Sequence, residues 1–100
     1  EASQCAPVFI FKHSTRCPFS RAAYERVKDY AAAAGADCPA FHLVYVVENR
    51  DISNAIAERL GVKHESPQLL LAAGGKALWH CSHGAIAAKA IDAARAEHGA

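Results

Sequence analysis

Cys17 is the residue best placed to do chemistry, because of what stands on either side of it. Pro18 follows it and Ser20 stands three positions on, giving Cys17-Pro18-Phe19-Ser20. Ahead of it lies the polar segment Lys12-His13-Ser14-Thr15-Arg16, itself preceded by the apolar run Pro7-Val8-Phe9-Ile10-Phe11. An apolar run of that length reads as a buried strand. A long alanine-rich helical pattern follows the proline. A cysteine at such a strand-to-helix junction meets unpaired backbone N–H groups and the positive end of the helix dipole, which favour a thiolate. Proline fits the first helical position because its missing N–H costs nothing there. Lys12, His13, Arg16 and Arg21 add positive charge, which lowers a thiol pKa further. A dithiol site would carry cysteine at position 20. Ser20 can donate a hydrogen bond to a Cys17 thiolate but cannot form a disulfide, so the motif reads as a monothiol redox site. The bland alternative is an inert cysteine buried near a helix start.

The elements that must position this segment follow from hydrophobic spacing and turn residues. Strand one spans about residues 7–12. Helix one runs from about 18 to 34 and stops at Gly35, with Phe19, Ala23, Val27 and Tyr30 at helical spacing. Asp37-Cys38-Pro39 makes a turn, and residues 41–47 form a second strand rich in β-branched and aromatic residues. Helix two covers about 52–60, with Asp51 or Ser53 as a cap and Gly61 as its end. Residues 68–72 and 76–81 pair as a hairpin across Gly74-Gly75. Ser82-His83-Gly84 opens helix three, about 85–97, with Ser82 as its cap. The order is βαβαββα. A βαβ unit demands a parallel pair, and the ββα end an antiparallel hairpin covered by a helix. The expected architecture is α/β: one mixed four-stranded sheet with helices on both faces, in a single domain over residues 1–100.

Composition narrows the functions. The chain has 100 residues, 52% of them hydrophobic, and a formal net charge of +1. That balance gives no reason to expect nucleic acid or an anionic membrane as partner. No apolar run is long enough to span a bilayer, and no signal-peptide pattern is visible. The four cysteines, Cys5, Cys17, Cys38 and Cys81, make no Cys-x-x-Cys pair. A disulfide framework is open to a secreted chain, but a core of this size needs none, so a reducing, cytoplasmic compartment is expected.

At the residue level several segments act together. They are Phe11-Lys12-His13-Ser14-Thr15-Arg16-Cys17-Pro18-x-Ser20, then Arg50-x-x-Ser53-Asn54, then Val62-Lys63-His64-Glu65-Ser66-Pro67-Gln68, and finally Trp79-His80-x-Ser82-His83. The combination resembles the YtxJ-type monothiol bacilliredoxins, within the thioredoxin and glutaredoxin-like superfamily, over nearly the whole chain. The resemblance implies a bacterial thiol–disulfide oxidoreductase with a thioredoxin-like fold. It implies removal of bacillithiol, a low-molecular-weight thiol, from client proteins that carry it as a mixed disulfide. No bound cofactor is expected; the small thiol is a co-substrate, and a monomer is expected. The resemblance also implies that Pro67 is cis and that Ser66 and Pro67 offer backbone hydrogen bonds to a bound disulfide. An ordinary turn proline opening a strand is the alternative.

In this fold Cys5 and Cys38 belong at the far end of the sheet, and Cys81 near Cys17. Cys81 is thus a candidate resolving thiol, or else a small core-filling residue. Arg16, Ser66, Ser82 and His83 are candidates for binding the small thiol, with His83 near a helix start that favours anions. Lys12 and Arg21 are further candidates for its carboxylates. Trp79 reads as core, and Glu48 and Glu65 as possible proton acceptors. The spacing His80-Cys81-x-His83 matches no standard zinc pattern, and no metal site is expected. Two other functions stay open: an iron–sulfur or metal carrier of monothiol-glutaredoxin type, and a non-catalytic thioredoxin-like binding module.

Overall fold

The computed structural model describes residues 7–14, 18–34 and 38–100, with no side-chain placement for Phe19. Along the chain it forms β1 (Val8–His13), α1 (Pro18–Ala34), β2 (Phe41–Tyr45), α2 (Arg50–Leu60), β3 (Gln68–Ala73), β4 (Lys76–Ser82), a 3-10 turn (His83–Ala85) and α3 (Ala88–His98). The strands form one sheet in the order β2-β1-β3-β4. β1 runs parallel to β2 and antiparallel to β3, and β3 pairs antiparallel with β4. The mixed α/β sheet expected from the element order is therefore present.

Alternation along β1 sorts its side chains between two faces. Phe9 and Phe11 join Leu69, Leu71, Ala23, Val27, Ile86, Ile91 and Ala94 in the main core, beneath α1 and α3. Each large apolar side chain so buried contributes about 1.5–3 kcal/mol. Val8, Ile10 and Lys12 face the other way, and Lys12 reaches α2 through the Ser53 carbonyl. Gly74 and Gly75, at φ +59° and +75°, close the β3–β4 hairpin in a conformation open to glycine at both positions.

Several boundaries differ from the sequence expectation. β2 ends at Tyr45: Val46 N–H still donates to the His13 carbonyl, but Asn49 N–H then turns the chain back to the Tyr45 carbonyl. α2 begins at Arg50 with Asn49 at its cap and no side-chain cap bond. Asp51 thus lies in the first turn, and Ser53 is buried within the helix, so neither caps it. The largest correction concerns Ser82. It ends β4 and precedes the 3-10 turn, makes no cap bond, and α3 starts only at Ala88. The helix N-terminus expected beside His83 is not there.

Candidate functional site

The site is built on the end of the sheet where β1 finishes and β3 begins. Lys12 lies opposite Gln68 in the antiparallel register, so Pro67 enters beside the last residues of β1. Pro18 opens α1, and Cys17 is the residue bonded to it. Cys17, Arg16 and Cys5 lie outside the described residues.

Ser20 is fully buried in the first turn of α1. Its Oγ accepts the Ser14 N–H at 2.9 Å and lies 2.8 Å from His13 Nδ1. These bonds tie the end of β1 to the start of α1 and bracket the segment that carries Cys17. They also give the Ser20 hydroxyl a competing partner. When His13 carries its proton on Nε2, the Ser20 O–H donates to Nδ1. Only the other tautomer leaves that proton for a thiolate.

The His13 ring is buried and packs against Phe11 and Tyr24, with centroids 5.7 and 5.0 Å away, in a cluster in which those two rings also meet at 6.3 Å. Burial holds its pKa below the ordinary histidine value; the Ser20 hydrogen bond and Glu48 work against this, while Arg21 adds to it. His64 is lowered too, by burial and then by Lys12 and Arg50. A histidine whose folded pKa is depressed takes up its proton more readily when unfolded. Stability is therefore fully present above the unfolded value near 6.5 and falls as pH drops through the folded values. Urea unfolding at pH 7.5 and pH 5 is expected to show the loss, and an NMR titration should place the His13 and His64 midpoints below 6.5. Equal stability at the two pH values, or midpoints at or above 6.5, contradicts this assignment.

Lys12 is not placed to meet a carboxylate ligand. It is fully buried on the α2 face, its Nζ donating to the Ser53 carbonyl at 3.1 Å. A side chain with no exposed surface cannot receive an external carboxylate. Arg21 remains exposed at the start of α1.

The Ser66–Pro67 peptide bond is cis. The Pro67 carbonyl accepts the His83 N–H at 3.0 Å. Among the described residues, Ser66 Oγ is buried with no partner and no backbone–backbone bond engages Ser66. His83 has φ +54°, uncommon for a residue with a side chain. Its Nε2 lies 3.0 Å from Glu65 Oε1, so Glu65 is a partner of His83. His83 and Gly84 line an open groove of about 470 Å³ with Ala22 and Arg26 of α1. The sequence reading missed Arg26. The signal was its spacing, because Pro18, Ala22 and Arg26 recur every four residues along one helix face. Arg26 Nε donates to the Ile86 carbonyl at 2.6 Å.

Cys81 lies opposite Leu69 and packs against the main core. Burial pushes its thiol up to about 11. That favours the core-filling reading over the resolving one, since the thiolate is the attacking species. Ser82 and His80 alternate to the other face, opposite Gln68 and Leu70. Cys38 precedes β2 at the far end of the sheet, and burial raises its thiol as well. Trp79 is half-buried against the core. Among the described residues no group of three histidine, cysteine or acidic side chains could hold a metal. No described helix is long and apolar enough to cross a membrane.

A β2-β1-β3-β4 mixed sheet with helices on both faces, and a cis-proline opening β3, is the architecture of a thioredoxin-fold protein. Solved structures agree. One described as an oxidoreductase with a thioredoxin fold is 33% identical, with a TM-score of 0.82 over 94% of this chain and 81% of that one. A malarial protein (14% identity, TM-score 0.72, 93% and 97% coverage) and thioredoxin from Aeropyrum pernix (12%, 0.68, 96% and 77%) share the fold. The family model for the monothiol bacilliredoxin BrxC matches residues 1–91. The chain belongs to the monothiol bacilliredoxin family, and its chemistry is of the redox class.

Proposed function

We propose that this protein is a monothiol thiol–disulfide oxidoreductase that removes a low-molecular-weight thiol, of the bacillithiol kind, from protein mixed disulfides through Cys17. The observation that carries the reading is the Ser66 main chain, which stands outside the β3 ladder next to Pro67, at the sheet end where α1 begins, and makes no backbone hydrogen bond among the described residues. Unpaired main-chain groups of that kind receive an extended segment as an added strand would.

The Cys17 thiolate attacks the small-thiol sulfur of the mixed disulfide. The sulfur–sulfur bond breaks, and the client leaves as a thiolate that takes a proton from solvent. Cys17 then carries the small thiol in a new disulfide. A second small-thiol molecule, as thiolate, attacks that sulfur, so Cys17 is freed and the small-thiol disulfide departs. In this reading Arg16, Ser66, Ser82 and His83 meet the small thiol, and Ser20 and Pro67 shape the site. No resident cofactor is required, and the protein works as a monomer in the cytoplasm.

Mass spectrometry of wild type and Cys17→Ser after exposure to oxidised bacillithiol and, separately, oxidised glutathione tests this. One small-thiol adduct on wild type, absent from the variant, is expected, and the preferred disulfide names the thiol. A wild type that gains no adduct from either sinks the proposal and leaves a binding module.

A further inference from the structure

The chain buries a cation in a place that the thiol chemistry does not explain. Lys12 has no exposed surface, and among the described residues no carboxylate acts on its ammonium. Burying a charge without a counter-charge is costly, so its remaining contacts matter. Nζ donates to the Ser53 carbonyl at 3.1 Å and to His64 Nδ1 at 3.4 Å. Ser53 Oγ lies 3.2 Å from the same Nδ1. An ammonium only donates, so Nδ1 is the acceptor and the His64 ring proton sits on Nε2. Opposite Lys12, the fully buried Gln68 donates from Nε2 to the Lys63 carbonyl at 2.9 Å. Two buried polar side chains at the end of the sheet thus grip the segment 62–67 at neighbouring residues, just ahead of Ser66 and Pro67.

We propose that Lys12 is a positioning residue for thiol exchange: through His64 it fixes the segment 62–67 so that Ser66 is set to receive a mixed disulfide, and the grip requires neutral His64. This rests on the function proposed above. Protonation at Nδ1 replaces an acceptor with a donor, so two N–H groups and two positive charges then face each other. The charged groups around His64 are Lys12 from β1, Arg50 from α2 and the adjoining Glu65; the first two oppose its protonation and Glu65 favours it. The grip therefore holds at neutral pH and is released below the ordinary histidine value.

The test uses wild type, Lys12→Met and His64→Asn, the last keeping an acceptor near the Nδ1 position without a titrating ring. The probes are a peptide mixed disulfide with bacillithiol and one with glutathione. KM and kcat are measured from pH 5 to 8, beside the iodoacetamide alkylation rate of Cys17, which needs no docked peptide. Lys12→Met is expected to raise KM about tenfold at pH 7.5, with the alkylation midpoint unmoved. The wild-type KM should climb below pH 6.5. His64→Asn should stay within about threefold of wild type at pH 7.5 and lose that climb. An unchanged KM in Lys12→Met overturns the proposal. So does a shifted alkylation midpoint, which would mean that Lys12 acts on the thiol charge instead.

Amide exchange on the same proteins reads the grip without any turnover. Lys12→Met should speed exchange about tenfold at Val62 and His83, whose N–H groups donate to the Ala57 and Pro67 carbonyls at the two ends of the segment, and equal exchange also overturns the proposal. If wild type turns over neither probe while exchange responds as expected, the function reading fails and the grip stands. Should Lys12→Met not fold, His64→Ala, at an exposed position, removes the same bond and carries the same expectations.

Discussion

Cys17→Ser is expected to lower the rate of small-thiol release from a mixed disulfide by about a thousandfold or more. Serine keeps the shape of cysteine but is hardly ionised near neutral pH, so the attacking species is gone. Neither described thiol can stand in. Cys81 packs against the core with its thiol pushed up to about 11. At pH 7 only about one such thiol in ten thousand is ionised. Cys38 lies at the far end of the sheet, raised by burial in the same direction. Cys81→Ser should therefore leave the rate within about twofold of wild type, the reverse of what a resolving thiol requires. The measurement is the initial rate of release from a peptide mixed disulfide, followed by chromatography for the three proteins. Activity retained in Cys17→Ser would falsify the assignment of the nucleophile. A large loss in Cys81→Ser would return that residue to the mechanism despite its packing.

The second large effect is on stability. Ser20→Ala should destabilise the fold by about 2–4 kcal/mol, because it takes a buried hydroxyl away from two buried groups at once. The Ser14 N–H loses its 2.9 Å acceptor, and His13 Nδ1 loses its 2.8 Å partner. Alanine is the better helix former, but that gain is only about 0.5 kcal/mol and cannot offset the loss. For a chain of 100 residues the deficit corresponds to a Tm lower by about 10–25 °C. Thermal and urea unfolding of wild type and variant decide it. A change below about 1 kcal/mol would mean that water replaces both bonds and that Ser20 is not a structural clamp.

Residue types and their spacing suffice for the architecture and single out Cys17 as the candidate nucleophile. Strand, loop, Cys17-Pro18 and an alanine-rich helix are local patterns, and local patterns are written in neighbouring residues. Gly61 and Gly74-Gly75 ended or turned elements for the same reason. The order of strands and helices then left one mixed sheet as the reasonable packing, and Cys81 was correctly narrowed to the site end of that sheet.

The partners of the polar side chains were settled by the packing of distant elements. Lys12 reads as one more cation ahead of a thiol, yet strand alternation points it into the α2 face, where Ser53 and His64 receive it across 41 and 52 residues of chain. Ser20 reads as a thiolate partner, and the packing of α1 against β1 also sets its hydroxyl against the His13 ring and the Ser14 N–H. Ser82 reads as a helix cap, yet β4 runs through it and a 3-10 turn intervenes. Each of these outcomes depends on which distant group faces a side chain once the sheet is formed. Residue type and spacing along the chain carry no record of that.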